Sequence, residues 1–212
     1  MFGIRDSGFR IRLLGLTLAV VGYFGPWVPH KTAALTVTGF ELTHLTRLQG
    51  SPVSITPELF LTPLVAAAIL LGLLANQLTN RPTNEPTSQP THRLLRAFLT
   101  LAAVLLALAA LPPYQFILDP QYRGQLILAA SGLLLVLLTP LARRLPRRAR
   151  GILVALLALA GAVPALWQFA LLRPIVVTLY NGPPGLGWGL VTCSAGLALL
   201  LISSIQQLAV SN

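Results

Sequence analysis

Only five carboxylates, three histidines and one cysteine occur in these 212 residues, and 9% of the chain is charged. Each scarcity removes a class of function. A single cysteine, Cys193, rules out an intramolecular disulfide, a cysteine-based zinc site and covalent haem attachment. Soluble domains carry roughly 25% charged residues, and a water-facing surface cannot be covered with so few. The carboxylates Asp6, Glu41, Glu58, Glu85 and Asp119 all fall outside the apolar runs or within a first turn. Proton or sodium coupling and intramembrane acid–base chemistry therefore lack the buried ionisable groups they need. His30, His44 and His92 stand in loops or at run boundaries, which leaves haem ligation between helices without ligands. His30, Glu41 and His44 share one loop, but a metal would need a third ligand beside the Glu41/His44 pair, and ordinary surface polarity explains them. No nucleophile-elbow, metalloprotease or phosphate-loop motif occurs, and no cofactor is implied.

What is present is apolar: 55% of the residues are hydrophobic. They gather into six runs, at 11–28, 59–78, 94–111, 125–142, 152–172 and 186–208. Each approaches the ~20 residues that a helix needs to cross the hydrocarbon core. The expectation is a single-domain, all-α integral membrane protein, a six-helix transmembrane bundle of three antiparallel hairpins. The first run, flanked by Arg5, Arg10 and Arg12, also has secretory-signal character. The sequence Phe24-Gly25-Pro26-Trp27-Val28-Pro29 at its end offers no small-x-small cleavage site, so a retained helix is expected. The stretch 80–91 is polar and broken by prolines, and reads as a linker.

A net charge of +10 invites a nucleic-acid reading, but the basic residues flank the apolar runs instead of forming a soluble face; nucleic acid is not an expected partner. They set orientation instead. Eleven of the fifteen (Arg5, Arg10, Arg12, Arg81, Arg93, Arg96, Arg143, Arg144, Arg147, Arg148, Arg150) lie on the side of the N-terminus if all six runs cross; Lys31, Arg47, Arg123 and Arg173 lie opposite. The positive-inside bias places both termini in the cytoplasm. Fourteen arginines against one lysine hint at a GC-rich genome, hence at the cytoplasmic membrane of a prokaryote. The turn holding Arg143, Arg144, Arg147, Arg148 and Arg150 is expected to anchor topology by contact with anionic lipids of the cytoplasmic leaflet; docking of an acidic partner is its alternative.

The outer loops carry weaker signals. Leu35 to Thr38 alternate like a strand that Gly39 would turn, and Leu42, Leu45 and Leu48 recur as on a short surface helix. The β-prone segment from Pro174 to Tyr180 is a second strand candidate, and the two stretches suggest a small extracytoplasmic cap, with irregular loops as the equal alternative. Pro113 to Gly124 and Pro174 to Gly185 share a proline-to-glycine spacing, which the need for helix breakers explains without duplication. Tyr23, Trp27, Tyr114, Tyr122, Tyr180 and Trp188 cluster at the outer boundary as an aromatic belt would.

Within the runs, Gln168 stands out. It follows Pro164, which should kink the fifth helix near Ala160, and Trp167, and it comes to about the same depth as Thr192 of the sixth run, with Cys193 and Ser194 nearby. A hydrogen bond between Gln168 and Thr192 would glue the helices; a shallow neutral pocket for a lipid or quinone-like molecule is the alternative. Small-residue pairs (Ala68/Gly72, Ala103/Ala107, Ala158/Ala162, Gly161/Ala165, Gly185/Gly189) permit close helix packing. These features point to a non-enzymatic scaffold or accessory subunit held among other membrane subunits, with a permease or lipid-handling protein using a neutral path between spans five and six as the alternative.

Overall fold

The structure, a computed structural model, describes residues 4–29, 36–48, 55–78, 89–180 and 185–210. It is all-α apart from one short strand pair. Six long helices occur: α1 (Ile4–Phe24), α3 (Thr62–Gln77), α4 (Gln89–Ala109), α5 (Arg123–Leu138), α6 (Arg147–Tyr180) and α7 (Trp188–Val210), with a short α2 (Gly39–Leu48) between the first two. A 3-10 turn, Pro57–Leu61, leads into α3, and another, Thr139–Arg144, ends α5. Proline near the start of each turn fits because its missing N–H would have no partner there. Four segments, Pro57–Gln77, Pro120–Arg144, Arg147–Val177 and Trp188–Ala209, are long and apolar enough to cross a membrane.

Helix α3 is the hub. Every residue from Pro63 to Asn76 is buried, and α1, α4, α5 and α6 all pack on it. A helix apolar on all sides suits such a place. Small residues let the neighbours approach: Gly132 of α5 sits over Val65, and Gly161 of α6 over Ala66. Helix α4 turns Leu99, Ala103 and Ala107 inward, while Leu94, Phe98, Leu101, Leu105 and Leu108 stay exposed. The members of each expected hairpin do touch (α1 with α3, α4 with α5, α6 with α7), but serial hairpins describe the packing incompletely, because the broadest contact of α1 is with α7.

That α1/α7 seam rests on glycines seven residues apart on each helix, Gly15 and Gly22 against Gly189 and Gly196, the period at which two helices keep one face in contact. A Cβ on Gly22 would fall 2.2 Å from the Cys193 nitrogen, and one on Gly196 would fall 2.4 Å from the Ala19 nitrogen. Gly15 faces Gly196, and Gly22 faces Gly189, so the helices run antiparallel. Arg12 of α1, the ends of α3 and α7 and the start of α6 meet at one end of the bundle, here called the basic end.

The opposite, capped end carries strand β1 (Pro26–Val28) paired antiparallel with β2 (Val37–Thr38). Thr38 is also the N-cap of α2: its hydroxyl accepts from Glu41 N at 3.2 Å, and the Glu41 carboxylate accepts from Thr38 N at 2.8 Å. This reciprocal capping box makes Gly39 the first residue of a helix, not a strand turn. The 174–180 segment is no strand; it continues α6. Phe169, Leu172 and Val176 are buried at helical spacing, and that packing overrides a β preference that reflects side-chain environment more than backbone. Helix α6 also runs unbroken through Pro164 and Pro174. Tyr23 and Trp27 are not belt residues either: both are 1% exposed. Trp27 packs edge-on against Tyr23 and Phe169, donates from Nε1 to Gly22 O at 3.1 Å, and accepts at its carbonyl from Gly187 N at 3.0 Å. Tyr114 and Trp188 are exposed. His30, most of the 80–91 linker and the 181–184 loop lie outside the described residues, as does the Tyr180 side chain; α4 begins within the linker, at Gln89.

Candidate functional site

At the basic end, polar side chains of α3, the Thr139–Arg144 turn and α6 line a recess, and Arg12 of α1 and Gln207 of α7 join the same hydrogen-bonded cluster through Gln77. Asn76, buried at the end of α3, donates to Gly72 O at 2.9 Å and to Thr139 Oγ1 at 3.0 Å. The Thr139 hydroxyl in turn donates to Val136 O at 2.7 Å. Asn76 Oδ1 accepts twice from Arg143, from Nε at 3.1 Å and from Nη2 at 2.6 Å. Arg150, in the first turn of α6, donates from Nη2 to Arg143 O at 3.3 Å and to Leu145 O at 3.2 Å. Arg12 of α1, 8% exposed, donates from Nη1 to Gln77 Oε1 at 3.5 Å and from Nη2 to Gln207 Oε1 of α7. Leu73, Asn76, Gln77, Thr139, Ala142, Arg143 and Arg150 line the recess.

The arginine turn therefore divides. Arg143 and Arg150 reach inward, whereas Arg144, Arg147 and Arg148 are exposed. Three groups of this site, Arg12, Asn76 and Gln207, escape a reading of apolar runs. Arg12 counts there only toward topology. The polar pair Asn76-Gln77 at the close of the second run was the available signal, since a buried amide demands a partner.

The five residues singled out on the fifth and sixth runs are placed separately. Gln168 is 3% exposed, and its Oε1 accepts from the Thr56 backbone N–H at 3.2 Å, which ties α6 to the turn ahead of α3. Trp167, next in sequence, is 65% exposed. Pro164 is half-buried inside α6. Thr192 is half-buried, and Ser194 donates to Leu190 O of its own helix at 2.8 Å. The contact seen at Gln168 is thus with a loop backbone and not with Thr192.

A second polar cluster joins four elements at the capped end. Arg47 of α2 donates from Nη1 to Gln125 Oε1 at 2.8 Å, pairs through Nη2 with Glu58 Oε1 at 3.5 Å, and lays its guanidinium 4.1 Å above the Tyr122 ring. Gln125 is fully buried and donates onward to Ala110 O at 3.0 Å. The sequence shows these residues only as an outer charge, a helix start and a belt aromatic. Nearby, the His44 ring meets Phe40 edge-on. Burial, then the charge of Arg47, hold its pKa below the usual histidine value, with Glu41 acting the other way. Glu41 itself is engaged as the α2 cap.

No family model, curated protein or solved structure matches this chain. Its functional reading rests on the geometry above.

Proposed function

We propose that this chain is a non-enzymatic, six-span protein of a prokaryotic cytoplasmic membrane, with both termini in the cytoplasm, serving as a scaffold or accessory subunit of a membrane complex. The observation that carries this reading is where its buried polar groups are spent. Arg12, Asn76, Arg143, Arg47, Gln125 and Gln168 each join one helix or loop to another. Contacts are what this interior makes. The six-span topology adds α1 and α4 to the four segments named above. The apolar runs that these helices carry, 11–28 and 94–111, fall within the range of about 17–25 residues that crosses a hydrocarbon core, with their basic residues at the cytoplasmic end. The exposed leucines of α4 suit lipid or a neighbouring apolar helix. A neutral path between α6 and α7 would have to pass Gln168, which is buried and bonded, so the permease alternative gains no support.

Extraction from native membranes in a mild detergent, followed by size-exclusion chromatography and intact-complex mass spectrometry, tests the subunit role. The expected result is a fixed stoichiometry with at least one other membrane protein. A lone species that transports or catalyses would overturn it.

A further inference from the structure

Three guanidiniums, those of Arg12, Arg143 and Arg150, gather at the basic end, and every partner found for them is a neutral oxygen. Amide and backbone carbonyls can orient a guanidinium but cannot neutralise it. The carboxylates whose side chains the structure describes, Glu41, Glu58 and Asp119, all stand toward the capped end, and the Asp6 side chain on α1 lies outside the described part. The charges also act on one another: Arg150 bears on Arg12. Arg12 is nearly buried, and its Nε lies out of solvent with no hydrogen-bond partner. A buried charge such as that of Arg12, with no counter-charge among the described side chains, is unfavourable, whereas a planar fork of N–H donors matches the oxygens of phosphate. The recess beside them is lined by Arg143 and Arg150 together with Asn76, Gln77 and Thr139, while Leu73 and Ala142 add an apolar wall. Its volume is only about 10 Å³, the room of a single water. A bound group must therefore cap the recess from its mouth.

We propose that the basic end is a phosphate-recognition site, in which Arg12, Arg143 and Arg150 supply the charge and the amides of Asn76, Gln77 and Gln207 hold those arginines in place. The shared ligand chemistry is a phosphate group, from the headgroup of an anionic phospholipid or free in the cytoplasm. The site takes its leaflet from the six-span topology, but its binding chemistry does not depend on the scaffold role. Bound phosphate would add to the direct bonds from Arg12 to Gln77 and Gln207 that already join α1 to the ends of α3 and α7.

The test is thermal unfolding of the full chain in nanodiscs. Discs of phosphatidylcholine alone are compared with discs containing phosphatidylglycerol, and inorganic phosphate is titrated separately into the first set. Unfolding is expected at higher temperature with phosphatidylglycerol, with inorganic phosphate, or with both. A response to the lipid alone assigns the headgroup as the source; a response to inorganic phosphate assigns the free ion. Arg150→Gln should weaken the response about tenfold in ligand concentration, as expected for loss of one charge-assisted hydrogen bond. Arg12→Gln should do the same, and Arg150→Gln decides the matter should the Arg12 variant not fold. The exposed Arg144→Gln and Arg147→Gln variants should leave the response intact. No response to either probe, or a response lost equally in the exposed variants, would overturn the site, because diffuse surface attraction would then explain it. Thiol labelling decides the topology independently, so failure of the one is distinguishable from failure of the other.

Discussion

At Gly22 there is no space for a methyl group, since a Cβ would fall 2.2 Å from the Cys193 backbone. Gly22→Ala must push α1 away from α7, and overpacking of this kind costs about 1–3 kcal/mol. Its unfolding temperature in detergent should fall clearly. Gly8, also on α1, has nothing within 4 Å, so Gly8→Ala should be neutral or slightly stabilising, since alanine favours a helix by up to ~1 kcal/mol. Equal losses in the two variants would show that the seam is not the cause. At the basic end, Asn76→Leu leaves Arg143 without its two bonds and Thr139 without a donor, a loss of about 1–3 kcal/mol. Asn76→Asp retains the accepting oxygens toward Arg143 and should lose less in the same melt. Neither site was legible in full beforehand. Asn76-Gln77 was visible as a polar pair, but its partners come from 63 and 67 residues further along the chain, and no local pattern encodes such a distance.

Among the elements, α2 is the most testable because its cap and its histidine are both defined. Glu41→Ala removes half of the capping box and should destabilise the capped end by about 1 kcal/mol, read as faster amide exchange in α2. His44 supplies a pH signature. Its pKa in the folded chain is lowered by burial and by Arg47, so above the ordinary value of about 6.5 both folded and unfolded chains are neutral there. As pH falls below that value the unfolded chain takes up a proton that the folded chain resists, and stability drops. Unfolding temperatures should therefore fall between pH 8 and pH 5, and His44→Asn should reduce the fall; an unchanged slope would contradict this. The short helix was readable from Leu42, Leu45 and Leu48, but its start was not: Gly39 reads as a strand turn, whereas the Thr38/Glu41 capping box opens α2 there. The end of α6 was not readable either, because Ile175, Val176 and Val177 favour strands locally and only the buried face shared with Phe169 and Leu172 keeps them helical.

For the whole molecule, each of the six apolar runs falls on one of the six long helices, because an uninterrupted run of apolar residues is a strong signal that needs no partner to interpret, but the ends differ, most at the start of α1 and the end of α6. The arrangement of the helices was less readable. That α3 should be the hub follows from its being apolar on every face, but small residues are common throughout the chain, and the seven-residue glycine spacing that joins α1 to α7 becomes evident only when both helices are seen together. The central claim is that α1 and α4 cross the membrane as the four more apolar segments do. Single cysteines introduced into a Cys193→Ala chain at Ser7, Ala33, Glu85, Leu118, Leu145 and Asn181, probed in intact cells with a membrane-impermeant thiol reagent, test it directly. The six-span arrangement predicts labelling from outside at Ala33, Leu118 and Asn181, and only after lysis at Ser7, Glu85 and Leu145. Labelling of Glu85 and Leu118 from the same side, or of Ser7 and Ala33 from the same side, would contradict it.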